Sequence, residues 1–231
     1  METPLDVLKR ALATQRVDDD GEPIQLDLLP PLSDIELNDF RARLPCDLPQ
    51  HIAELLKYCR GFDGSAADEV DFLGELPFGH TEIFPHGLPI ASDGFGNFWV
   101  IDLNPDSSDF GPVYFACHDP PVIALQSTSL SGFLKDLLRL DDQEGSVIDF
   151  VHDEATASIW RDDPAAVPHS DALTSDDPIL RDLARRVTDQ FFIVDLRDAD
   201  VGEGFSWGRF GPDTRILRQG AQPIFACGPA K

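Results

Sequence analysis

His80, His86, His118 and Asp119 are of types that could gather into a metal or acid–base site. As a set, their spacing matches no metal template. His118-Asp119-Pro120-Pro121 has instead the composition of an ordinary turn. The four cysteines, Cys46, Cys59, Cys117 and Cys227, lie far apart. That scatter suits buried thiols in a reducing cytosol better than a disulfide framework or a metal site. Neither Cys59 nor Cys117 is surrounded by a nucleophile motif, and Ser92 and Ser206 lack a G-x-S-x-G elbow.

Two glycine-rich segments invite comparison with ligand loops. Asp93-Gly-Phe-Gly-Asn97 lacks the alternating oxygen ligands and closing glutamate of a calcium loop. It is followed by β-rich Phe98-Trp99-Val100 rather than by the helix a phosphate loop needs. Gly202-Glu-Gly-Phe-Ser-Trp-Gly208 has no P-loop lysine and reads as a structural turn. No catalytic residue, no metal and no cofactor is expected, and the protein is expected not to be an enzyme.

Charge is the remaining signal. Forty-two acidic residues against 18 basic ones leave a formal net charge of −24. A nucleic-acid binder needs clustered Lys and Arg, and an anionic membrane repels such a chain, so both partners are excluded. From Gly61 through Leu134 no Lys or Arg occurs, while eleven carboxylates do. Solubility is the bland account of this excess. The sharper account is a surface that attracts a cationic protein and speeds its association. Asp68, Glu69 and Asp71 lead into one strand, and Asp106 and Asp109 lie on a loop between two others. If the topology brings these loops to one edge, they form an acidic rim for a basic partner, with the chain acting as a monomer. Trp160 and Trp207 lie in loop-like surroundings, where local packing is the plainer reading and an interface anchor the sharper one.

The elements that must position these residues follow from the pattern. With 231 residues, 42% of them hydrophobic, the chain is large enough to bury its own core. Thr3-Pro4-Leu5-Asp6 opens a helix that runs to about Gln15. Ser33-Asp-Ile-Glu36 has capping-box spacing, opening a helix with Ile35, Leu37, Phe40 and Leu44 available for burial. A third helix follows Asp47-Leu-Pro49, buries Ile52, Leu55, Leu56 and Cys59, and ends at a Gly61 cap.

The texture then turns to β. Short strands are expected at Val70–Leu73, Glu82–Phe84, Leu88–Ala91, Phe98–Leu103, Val113–Ala116 and Val122–Leu125. Asp93–Asn97 joins two of them as a hairpin with glycines where φ is positive. On the strand after it, Phe98 and Trp99 should face opposite sides. An amphipathic helix covers Ser129–Leu138. Beyond it, 141–176 reads partly as a linker, followed by a helix over Pro178–Gln190 and strands at Phe191–Asp195, Arg215–Leu217 and Pro223–Ala226. The organisation is α+β: an N-terminal helix and loop (1–31), a domain at 32–140, and an α+β extension (141–231). The N-terminus shows no signal-peptide pattern and no apolar run is long enough to span a bilayer, so a soluble, cytoplasmic protein is expected.

The order of motifs also resembles a known family. Leu44-Pro-Cys-Asp-Leu-Pro-Gln-His-Ile with the Gly61-Phe-Asp-Gly64 ending is similar to the opening of the SUKH superfamily, which includes the Smi/Knr-type cell-wall synthesis regulators of yeast. Leu88-Pro-Ile-Ala-Ser-Asp-Gly-Phe-Gly-Asn97 resembles its hairpin signature, with Pro89, Asp93, Gly94, Gly96 and Asn97 at the matching places. Gly111-Pro-Val-Tyr-Phe115, His118-Asp119 and Ser129-Leu-Ser-Gly-Phe133 follow in the family's order, over about residues 32 to 140. Arg60 departs from a frequent asparagine at a helix end. The resemblance implies a small, mostly antiparallel sheet wrapped by N- and C-terminal helices, with no catalytic centre. It also implies a protein-binding role: a bacterial immunity protein against a cognate toxin, or a regulatory scaffold with several clients. An acidic inhibitor suits a basic nuclease toxin, whose nucleic-acid cleft it covers by imitating phosphates.

Overall fold

The computed structural model describes residues 2–14, 25–65, 67–107, 110–140 and 146–230. Helix α1 (Pro4–Ala13) begins where Thr3 and Asp6 satisfy each other's backbone N–H groups. The short strand β1 (Asp27–Leu28) precedes α2 (Asp34–Arg43), which starts at the reciprocal Ser33–Glu36 box. Helix α3 (Gln50–Leu56) buries Ile52, Leu55 and Leu56. The strands β2 (Gly61–Asp63), β3 (Glu69–Asp71), β4 (Gly87–Ser92), β5 (Phe98–Asp102), β6 (Val113–His118) and β7 (Pro121–Ser127) follow as an antiparallel meander, closed by α4 (Leu130–Leu137).

The remainder is more regular than a linker. Helix α5 (Val147–Asp149) runs through a π-helical stretch, Phe150–Ala155, into α6 (Thr156–Asp162). Then come β8 (Ala166–Pro168), α7 (His169–Thr174), α8 (Pro178–Arg185), β9 (Phe192–Asp195), β10 (Gly204–Phe205), β11 (Thr214–Arg218) and β12 (Ile224–Pro229). The main sheet has the order β1-β2-β3-β4-β5-β6-β7-β10, and a second sheet the order β11-β12-β9-β8.

Period-two alternation on the central strands divides the core. Trp99, Ile101, Phe115 and Cys117 join the helices α1 to α4 on one face of the main sheet. Trp99 lies 5.1 Å from Phe115 and 5.9 Å from Phe133, with its indole N–H donated to the buried Gln126 side chain at 3.1 Å. Val100, Tyr114, Ala116, Ile123 and Leu125 point to the other face. There they meet Val194, Phe225 and Cys227 of the second sheet, and β10's own Phe205 stacks on Phe225 at 4.7 Å. Ala172, Leu183 and Ala184 of α7 and α8 cover the second sheet's outer side. The layers run helix, sheet, sheet, helix. Burying each large side chain in these seams contributes about 1.5–3 kcal/mol.

The C-terminal residues are also wired into the main sheet. Strand β10 pairs with β7 so closely that a Cβ on Gly204 would stand 1.8 Å from the Ile123 carbonyl oxygen. Trp207 donates its indole N–H to the Cys117 carbonyl at 3.1 Å. Arg218 reaches Asp102 on β5 with Nη1–Oδ1 at 2.9 Å and Nη2–Oδ2 at 2.7 Å, a bidentate pair buried on both sides.

Several expectations need correction. Ile35 is 75% exposed, because α2 packs through Leu37 and Phe40 alone. Residues 82–84 form a turn closed by the Phe84 N–H to His80 O bond, not a strand. Gly61 opens β2 instead of capping α3; a Cβ there would lie 2.0 Å from the Val70 carbonyl oxygen. Helix α8 stops at Arg185, short of Gln190. Trp160 stands on α6, beneath the Arg209 guanidinium, and not on a loop. Part of the loop expected within 1–31, residues 15–24, lies outside the described residues.

Candidate functional site

Antiparallel register assigns every loop of the main sheet to one of two ends. Glu69 pairs with Ser92, and Phe98 with Ala116. The β4–β5 hairpin, the β6–β7 turn and the start of β3 therefore share one end. Gly87 pairs with Asp102, so the β5–β6 loop belongs to the opposite end. Asp68 and Glu69 stand at the hairpin end and are exposed, whereas exposed Asp106 stands at the other. Asp109 lies outside the described residues. A single rim containing Asp68, Glu69, Asp71 and Asp106 is thus not what the topology builds.

Asp71 does not face solvent. The turn after β3 folds its carboxylate inward, where Oδ1 accepts the Leu73 N–H at 2.8 Å and the Arg60 Nε stands 3.6 Å from Oδ2. Burial pushes its carboxyl above the ordinary carboxylate range. Its work is local: it organises a turn.

The hairpin is a connected polar unit. Asp93 Oδ1 accepts the N–H groups of Phe95 and Asn97 at 2.9 and 3.1 Å, and Oδ2 accepts the Asn97 amide at 2.6 Å. Asn97, itself buried, turns its carbonyl oxygen to the His118 N–H at 2.9 Å and to His118 Nδ1 at 2.9 Å. That oxygen only accepts, which assigns the proton to Nδ1. His152, on the π-helical stretch, completes the group with Nε2 3.7 Å from Asp93 Oδ2 and its ring 5.2 Å from that of Phe115. Gly94 and Gly96 have φ of +75° and +93°, and Cβ atoms there would crowd Asp68 and His118 at 3.1 and 3.3 Å. Pro89 sits where the β4–β5 register shifts, a bulge that tolerates its missing N–H.

Carboxylates gather around this unit. Asp68, Glu69 and Asp119 are exposed, and Asp63 faces Asp27 across the β1–β2 pair, two like charges directly opposed. Such an arrangement destabilises a sheet. Among the described residues, no Lys or Arg pairs with Asp27, Asp63, Asp68, Glu69 or Asp119. Phe95, at the tip between the two glycines, is 81% exposed.

The arrangement has donors, acceptors and charge but no activated nucleophile. Burial pushes the Cys59 thiol up to about 11 and raises Cys117 as well. Ser206 is buried against Asp163, which also accepts from Arg209 Nε at 2.7 Å. His80 packs its ring against Trp207 at 4.4 Å. Among the described residues, no group of three or more His, Cys, Asp or Glu is arranged to hold a metal ion. No helix among them is long and apolar enough to cross a membrane.

His152 and Phe95 escape sequence reasoning. His152 lies on a helix that reads as a linker, with no spacing that ties it to Asp93. Phe95 is visible inside the hairpin motif, but nothing in the motif tells which way it points.

Residues 31–136 match the model of the SMI1 / KNR4 family (SUKH-1). No curated protein and no solved structure matches the chain.

Proposed function

We propose, from the match of residues 31–136 to the SMI1 / KNR4 family (SUKH-1), that the chain is a non-enzymatic, cytoplasmic binding protein of the immunity type, which captures and neutralises a basic protein toxin. The observation that carries this reading is the hairpin end of the main sheet: exposed carboxylates from several strands and no pairing cation among the described residues. Stability alone does not favour that pattern, because opposed and unpaired carboxylates repel. A partner that brings its own Lys and Arg relieves the repulsion as it docks. Nuclease toxins carry such surfaces because they hold nucleic acid.

Co-expression with the product of the adjacent upstream gene, followed by measurement of complex formation against salt, tests the proposal. A stable complex whose association slows with salt supports it. Reversal of Asp68 and Glu69 to lysine should lower the association rate by about tenfold at low salt and leave dissociation nearly unchanged. No complex with a cationic neighbour, or an association rate indifferent to this reversal, refutes it. Binding to several unrelated cationic clients would point to the scaffold role instead.

A further inference from the structure

We propose that Phe95 is the anchor of the binding surface, inserted into an apolar pocket that the partner rims with Lys or Arg. The inference rests on the protein-binding reading and adds where the contact is centred and what it fits. Phe95 is the most exposed of the large hydrophobic side chains among the described residues, at 81%. An exposed phenyl ring on a floppy loop would mean little. This ring stands on a hairpin whose two ends are tied by the Asp93–Asn97 bonds and braced by His118. A phenyl ring has two torsions to fix, so on a backbone held in advance it loses little freedom on binding, and aromatic side chains dominate interface energetics when buried in a pocket.

The surroundings decide the partner's chemistry. Asp68 lies against Gly94 on one flank, and Asp119 follows the His118 that lies against Gly96 on the other. A pocket lined by acidic groups would be repelled as Phe95 approached. One rimmed by cations would be drawn in and then desolvated around the ring. Unlike Trp160 and Trp207, which pack locally, Phe95 packs under nothing: its own N–H is bound to Asp93 while the ring projects.

The test uses the full-length protein and a displayed library of random, disulfide-closed peptides as the probe, so it does not depend on any toxin being found. Peptides panned on the wild type should be enriched in Lys and Arg together with apolar residues. Their affinity should fall about 30-fold or more for Phe95→Ser, the scale of a buried aromatic anchor, and severalfold for Asp68→Asn. An unchanged Tm for both variants shows that the fold survives, as expected for exposed side chains. Ile35→Ser removes the other highly exposed apolar side chain, on α2, and should leave binding unchanged. Failure to enrich binders, enrichment without basic residues, or binders lost to Ile35→Ser but indifferent to Phe95→Ser would overturn the assignment. Each of those outcomes leaves the co-expression result standing, so the two readings fail separately.

Discussion

Arg218→Met removes one half of the ion pair that joins the extension to the main sheet, and its effect follows from the contacts. In the native protein the guanidinium donates to both Asp102 oxygens, to the Ile83 carbonyl at 2.7 Å, and to the carbonyls of Ala221 and Gln222 at 3.1 Å. Both side chains are almost wholly buried, 5% and 6% exposed. Methionine fills much of the same space but leaves the Asp102 carboxylate alone beneath two sheets. Breaking such a pair costs about 3–5 kcal/mol, chiefly because an uncompensated charge stays behind. With a urea m-value of about 2–3 kcal/mol/M, the unfolding midpoint should fall by about 1–2.5 M.

The pH dependence distinguishes this cause from lost packing. Burial pushes the Asp102 carboxyl above its ordinary range, and Arg218 opposes the shift. Without Arg218 the folded-state pKa rises further while the unfolded value is unchanged. A raised folded pKa penalises the folded state above the unfolded pKa, and the penalty fades as pH falls toward that value. The deficit of Arg218→Met against wild type should therefore be largest near pH 7.5 and shrink toward pH 4.5. Replacing both residues, Asp102→Leu with Arg218→Met, should recover much of the loss at pH 7.5. A deficit below about 1 kcal/mol, or one equal at both pH values, would refute the reasoning.

Ending the chain at Leu140 uncovers Val100, Tyr114, Ile123 and Leu125, the face the second sheet covers; the shortened protein should bind a hydrophobic dye and self-associate on size-exclusion chromatography. Gly204→Ala pushes a methyl group into the Ile123 carbonyl and should destabilise by about 1–3 kcal/mol in chemical denaturation. Burial raises the pKa of all four thiols, but Cys46 is only partly covered while Cys59, Cys117 and Cys227 are buried. A native-state thiol titration near pH 8 should therefore show one fast-reacting cysteine at most, and four after unfolding.

What local patterning encodes was legible. Thr3 and Ser33 each announce a helix start because capping needs an acceptor at one place and an acid three residues on. The β4–β5 hairpin is visible because only glycine suits the positive φ at positions 94 and 96. The misses share a different cause, since they depend on what packs against what. Ile35 has the spacing of a core residue, but α2 is covered on a narrower stripe than its apolar positions suggest. Asp71 looks like a rim carboxylate until the following turn tucks it under. Asp102 and Arg218 are separated by 116 residues, and no short-range signal joins them. The helix from Val147 to Asp162 reads as polar linker because only Ile148, Val151, Ala155, Thr156 and Ile159 of it are buried.

The extension also bears on the proposal that the hairpin end is the binding surface. A lone sheet of this kind offers a partner two faces, two edges and two ends. Here α1 to α4 occupy one face, and the second sheet occupies the other. The edges of the main sheet are β1 and β10, two residues each, too short to template a strand from another chain. Among the described residues the two ends of the main sheet remain open, and they differ. One carries Asp106 and adjoins the buried Arg218–Asp102 pair, where a docking partner would meet structure already committed to holding the two sheets together. The other carries a braced hairpin, an exposed ring and carboxylates with no pairing Lys or Arg among the described residues. Covering both faces stabilises the fold and leaves the hairpin end as the surface we propose for recognition.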